Sequence, residues 1–226
     1  MPATTLDEVL RLLLVDPASA AEGGEEPLHA VFNLDLGSSF GWELRYVDER
    51  EAAELAYRRY YYKGMGCGYG AFYAIVSAYA AKYGEPYSSF PLQVLEHKKG
   101  RFSGKDKICG SLVGAGAAMS LFAGQEREEM FAELVKWYED APLPVYIPAP
   151  GMLNENGEPL GMELEVPVST AGGPHCHSSL SAWAQSCAGV CPGQMHDKER
   201  KERCARLTAS VTARAVEIMN RKAVPA

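Results

Sequence analysis

Apolar residues recur at helical spacing along most of this chain, and the recurrence breaks at a few glycine and proline clusters. Thr5-Leu6-Asp7-Glu8 has the form of a capping box and predicts a short helix to about Val15, ahead of Asp16-Pro17. The Ala/Gly/Glu-rich stretch to Pro27 reads as a linker, and Val31 to Leu36 alternates as a half-buried strand does. Asp48, followed by Glu51, opens a helix from Glu49 to about Tyr62 that ends in a cluster of tyrosines. The next helix is predicted from Cys67 to Tyr83, with Cys67, Ala71, Ala74, Ile75 and Ala78 on a buried stripe and Gly84-Glu85-Pro86 as its stop. Ser89-Phe90-Pro91 starts a helix to about Lys98, since proline suits a first turn. Further helices are expected at Gly110–Met119, Glu126–Asp140, Ser178–Cys187 and Lys198–Asn220. The last carries Cys204, Leu207, Val211, Ala215 and Ile218 on one face.

This pattern predicts an all-α fold, a multi-helix bundle interrupted by one long proline- and glycine-rich irregular segment over 141–174. Residues 1–47 read as an N-terminal extension of short helix and linker, and 48–226 as a cysteine-containing helical domain. The irregular arm should drape over the surface or over a neighbouring subunit, which is compatible with a homodimer. In the helix after Cys109, Gly110, Gly114 and Gly116 each cost about 1 kcal/mol relative to alanine. Something bulky, another helix or a cofactor, must therefore come very close there.

Composition narrows the class. With 47% apolar residues in 226 the chain can bury a sizeable core, and a net charge of -7 without a basic stripe argues against binding to phosphate backbones. The most apolar segment, from Ile108 to Gly124, falls short of the roughly 20 residues a membrane span needs. The N-terminal helix lacks the uninterrupted apolar run of a signal peptide, so the expected setting is cytoplasmic.

Six cysteines in a chain of this length do not form a secreted disulfide scaffold. Cys67 and Cys109 each stand where a glycine-bearing loop turns into an apolar helix, at the positive end of the helix dipole, which favours the thiolate that binds metal. The remaining four follow the spacing Cys176-x10-Cys187-x3-Cys191-x12-Cys204, which is neither a CxxC pair nor a zinc-ribbon pattern. No CxxCH is present, which argues against covalent haem. Thiolates gathered from several helices would suit an iron-sulfur cluster. His177, beside Cys176, could ligate iron or cap a helix, and His175 and His196 are open to the same two readings.

Four segments together carry a resemblance: Gly66-Cys67-Gly68-Tyr69-Gly70, Cys109-Gly110-Ser111-Leu112-Val113-Gly114, Cys176 to Trp183, and Arg203 to Ala209. They resemble the C-GCAxxG-C-C family of redox-active proteins, in particular the non-haem part of split-Soret cytochromes c. The resemblance implies an all-α bundle whose cysteines hold an iron-sulfur cluster for electron transfer, or as the redox subunit of an oxidoreductase. The implied metal ligands are Cys67, Cys109, Cys176 and Cys204, with Cys187 added because it closes the Trp183 helix. Gly66, Gly110 and His177 are the neighbouring positions expected to contact the cofactor, and the partner would be a redox protein or a small-molecule electron carrier. Two other readings stay open on the residues alone: a metal-free thiol-disulfide protein cycling a pair such as Cys187 and Cys204, and a structural zinc or helical interaction module that uses the arm for binding.

Overall fold

The computed structural model describes residues 41–92, 107–122, 126–154, 156–160, 166–187 and 197–223. The expected N-terminal helix and strand, the helix toward Lys98 beyond Leu92, Cys191 and His196 lie outside the described residues.

Helix α1 spans Glu49–Tyr61. It starts at Asp48, whose carboxylate accepts from the N–H of Glu51 at 2.8 Å, and acidic residues in its first turn and Arg58 and Arg59 in its last complement the dipole. Helix α2, Cys67–Tyr83, begins at Gly66 with φ 81, a backbone conformation that side-chain-bearing residues avoid. Helix α3 is Gly110–Met119, α4 Arg127–Asp140, α5 Cys176–Ser186 and α6 Asp197–Asn220. The described fold is thus all-α, with one small ribbon in which strand β1, Pro142–Leu143, runs antiparallel to β2, Ser169–Thr170.

Every residue of α3 is buried, because the helix lies between α2, α4 and α6. Full burial of Leu112, Val113 and Met119 is worth about 2 kcal/mol each, which offsets the penalty of about 1 kcal/mol carried by each glycine. The glycines answer to close helix neighbours. A Cβ at Gly114 would stand 2.2 Å from the carbonyl oxygen of Gly68 on α2, and one at Gly116 would meet the Phe131 ring of α4 at 2.7 Å. Gly70 fills a similar place between α1, α2 and α6, where a Cβ would meet the Ala56 carbonyl at 2.9 Å and the Thr208 methyl at 3.2 Å.

Trp42 and Val47, both assigned to the extension by sequence, pack into the main core, and the Trp42 N–H donates to the Leu121 carbonyl at 3.2 Å. The described parts of the arm lie on the chain's own helices. The N–H groups of Val145 and Tyr146 both donate to Ser210 Oγ at 3.0 Å, and Trp183 Nε1 donates to the Pro167 carbonyl at 3.0 Å. Val145, Ile147, Leu153 and Val168 on the arm remain exposed. Among the described residues, no helix is long and apolar enough to cross a membrane.

Candidate metal centre

Two loops carry the first pair of cysteines together. Ile108 pairs antiparallel with His175; the Cys109 N–H donates to the Pro174 carbonyl at 2.8 Å, and the Cys176 N–H donates to the Lys107 carbonyl at 2.9 Å. This short zipper sets Cys109, the N-cap of α3, beside Cys176, the first residue of α5. The glycine crossing of α2 on α3 then brings in Cys67, which opens α2 one residue before Gly68. Cys204 comes from the interior of α6. Thr208 Oγ1 donates to the Cys204 carbonyl at 2.7 Å and so receives the proton of Ser111 Oγ at 3.1 Å, which ties α6 to α3 one turn past the cysteine.

The four thiols line one cavity of about 20 Å³, together with Ser111, Tyr138, Ser179, Arg203 and Leu207. Among the described residues, no three His, Cys, Asp or Glu side chains stand close enough to hold a single metal ion. Two polar groups on the wall are buried without a hydrogen-bond partner, the Tyr138 hydroxyl and Arg203 Nε. Tyr138 lies close enough to Cys109 and Ser179 to feel both, but neither contact has hydrogen-bond geometry. Arg203 is anchored from its other end, where one terminal nitrogen donates to Ser179 Oγ at 2.5 Å and to the Ser179 carbonyl at 3.3 Å.

The helix dipole was expected to favour thiolate at Cys67, and the site overturns that expectation for the metal-free protein. Burial pushes the Cys67 thiol well above its ordinary value, the neighbouring Cys109, Cys204 and Cys176 add to the rise, and the Gly68 N–H opposes it only weakly. Cys67 and Cys204 are half-buried as whole residues, but their thiol groups are withdrawn from solvent. Burial raises the Cys204 thiol as well, against the lowering influence of Arg203. Burial likewise raises the Tyr138 phenol well above its ordinary value.

Not every expected residue reaches the cavity. Cys187 caps the far end of α5, its N–H bonded to the Trp183 carbonyl at 3.0 Å. Eleven residues of helix separate it from Cys176 by about 16 Å, so its buried thiol does not line the space that Cys176 lines. His175 and His177 are exposed and lie outside the lining. Gly66 and Gly110 shape the two helix starts without lining the cavity. Sequence reasoning passed over Tyr138, which carries no local signal beyond an amphipathic helix. Ser111, Ser179 and Arg203 lie within the four segments singled out above, where adjacency to cysteine was the available clue.

Residues 69–218 match the family described as "Putative redox-active protein (C_GCAxxG_C_C)", and the chain belongs to that family. The match starts just past Cys67 and includes Cys109, Cys176, Cys187 and Cys204. The chain is also 40% identical over 203 residues to the split-Soret cytochrome c of Desulfovibrio desulfuricans (strain ATCC 27774 / DSM 6949 / MB), covering 89% of this chain and 68% of that protein. A solved structure described as "A novel iron centre in the split-Soret cytochrome c from Desulfovibrio desulfuricans ATCC 27774" superposes with a TM-score of 0.69 at 41% identity, covering 83% of this chain and 74% of that one. The protein is thus a redox-family member related to a cytochrome with a described iron centre.

Proposed function

We propose that Cys67, Cys109, Cys176 and Cys204 hold an iron-sulfur centre through which the protein exchanges electrons with a redox protein or a small-molecule carrier. The observation that carries this reading is that four thiols, supplied by four different helices, line one small cavity. A set of sulfur donors without carboxylate or imidazole selects soft metals and iron-sulfur clusters over magnesium or calcium. The iron centre described for the relative of known structure supports iron.

The residues fit such a group. Four thiols match its ligand type, and the unpartnered Tyr138 hydroxyl and Arg203 Nε are donors with nothing to donate to within the protein. At about 20 Å³ the cavity is close to the room for a single water. A centre of several atoms needs the cysteine side chains to turn outward. Cys109 at an N-cap and Cys67 and Cys176 at first helical positions have no preceding turn to obstruct a change of χ1.

When bound, such a centre supplies a reversible one-electron couple. The protein's own part is to hold it away from water and to release the thiol protons of its ligands on loading, because the thiolate is the ligating form. The chain has no haem-attachment motif, so covalent haem does not carry over from the relative. Purification without oxygen, followed by iron and acid-labile sulfide analysis, tests the reading. Stoichiometric iron with sulfide is the expected result; zinc, or no metal at all, would overturn it.

A further inference from the structure

The most buried arginine described in this protein has no anion. Arg203 is 1% exposed, and its hydrogen bonds run only to the neutral oxygens of Ser179, while its guanidinium lies 5.9 Å from the Trp183 ring. Among the described residues no carboxylate forms an ion pair with it. Arg206, one turn further along α6 and 8% exposed, has Glu202 at 2.6 Å. Glu199, one turn back from Arg203, keeps a buried carboxylate oxygen that is itself without a hydrogen-bond partner, so no hydrogen-bonded ion pair joins the two. An arginine cannot shed its proton to escape burial, and an uncompensated charge in a protein interior is strongly unfavourable. Arg203, which carries a free Nε–H, lines the cysteine cavity.

We infer that Arg203 is the counter-charge of the centre in that cavity and holds its reduction potential up. The inference rests on the function proposed above. Four thiolates would bring more negative charge than a single iron ion, or than the net positive core of irons and sulfides in a cluster, brings positive, so the assembled centre would be an anion. Reduction adds one further negative charge, and a buried cation beside it stabilises the reduced state more than the oxidised one. Ser179 holds the guanidinium in place from α5, the helix that also supplies Cys176. Arg203 is thus a positioning and charge-setting residue and not a ligand.

The test compares the full-length protein purified without oxygen with Arg203→Gln, which keeps hydrogen-bonding capacity but loses charge, and Arg203→Lys, which keeps the charge. Iron content and the potential from an anaerobic redox titration are the readouts. The glutamine variant should show the reduced-to-oxidised ratio at fixed solution potential lowered at least tenfold, a shift of about 59 mV for one electron. The lysine variant should stay within threefold of the unmodified chain. Loading of the lysine variant but not the glutamine variant would meet the same expectation, since charge would then be needed for assembly itself. An iron-loaded glutamine variant with unchanged potential overturns the inference, as does an equal shift in both variants or failure of both to load, which would make Arg203 a structural residue. Absence of iron from the unmodified protein would instead bring down the iron-sulfur reading on which the inference stands.

Discussion

Gly114 lies against Gly68 so closely that a Cβ on the former would stand 2.2 Å from the carbonyl oxygen of the latter. Backbone meets backbone there, so no side chain can swing away, and the two helices that carry Cys109 and Cys67 would have to part. Gly114→Ala should cost about 3 kcal/mol, the upper part of the usual overpacking range, lowering Tm by roughly 10 °C. Iron content should fall with it, because the crossing that is disturbed is the one that aligns two of the proposed ligands. Gly173→Ala is the control: a Cβ there meets nothing within 4 Å, and thermal melting should move by under about 0.5 kcal/mol equivalent.

Cys176 and Cys187 mark opposite ends of α5, and only the first lines the cavity. Cys176→Ser should abolish or strongly weaken the visible absorption of the anaerobically purified protein. Cys187→Ser should leave the absorption unchanged and cost about 1 kcal/mol of stability, as expected for a small buried thiol replaced by a hydroxyl. Loss of colour in Cys187→Ser would mean that the helix end rearranges to reach the site.

Raised thiol values make a chemical prediction for the protein stripped of metal. Burial keeps Cys67 and Cys204 protonated at pH 8, where a free cysteine is already partly thiolate. Iodoacetamide should therefore alkylate both at least tenfold more slowly than the same cysteines in urea, read by mass spectrometry of tryptic peptides. Fast labelling at either position would show that its sulfur is open to solvent.

Behind α6 a second polar cluster is buried: Tyr57 and Tyr61 donate to Glu202 at 2.9 Å and 2.6 Å, and Arg206 pairs with the same carboxylate. Burial, reinforced by the Glu202 charge, raises both phenols far above their ordinary value near 10. The unfolded chain releases these protons from about pH 10 upward while the folded chain retains them. Stability should be complete below about pH 10 and then fall with rising pH by about 1.4 kcal/mol per unit for each tyrosine. Urea melts by circular dichroism between pH 9 and 11.5 measure this, and a flat profile over that range would contradict the burial of both hydroxyls. Glu202→Ala should cost about 3 kcal/mol at pH 7, because it strands Arg206 and two phenols together.

Local signals in the chain were enough for most helices. The stop at Gly84 and the start at Gly66 bounded α2 at Cys67–Tyr83, and the glycine-bearing helix was legible as Gly110–Met119, both as observed. The helix-end position of Cys67 and Cys109 was equally readable, but that of Cys176 was not: α5 starts two residues before the expected Ser178, so that Cys176 belongs to its first turn and Cys187 follows its last residue. Which cysteines meet was not readable, since Cys187 and Cys204 had equal standing on spacing alone. That choice depends on the pairing of Ile108 with His175, the crossing of Gly68 with Gly114 and the hydroxyl link from Ser111 to Thr208, all between segments far apart in the chain. Periodicity, caps and glycine stops act over a few residues and are written in order along the polypeptide. The approach of Tyr138 and the unpaired charge of Arg203 to four sulfurs arises only when separate helices bury their faces against one another, and composition at any one site carries no record of it.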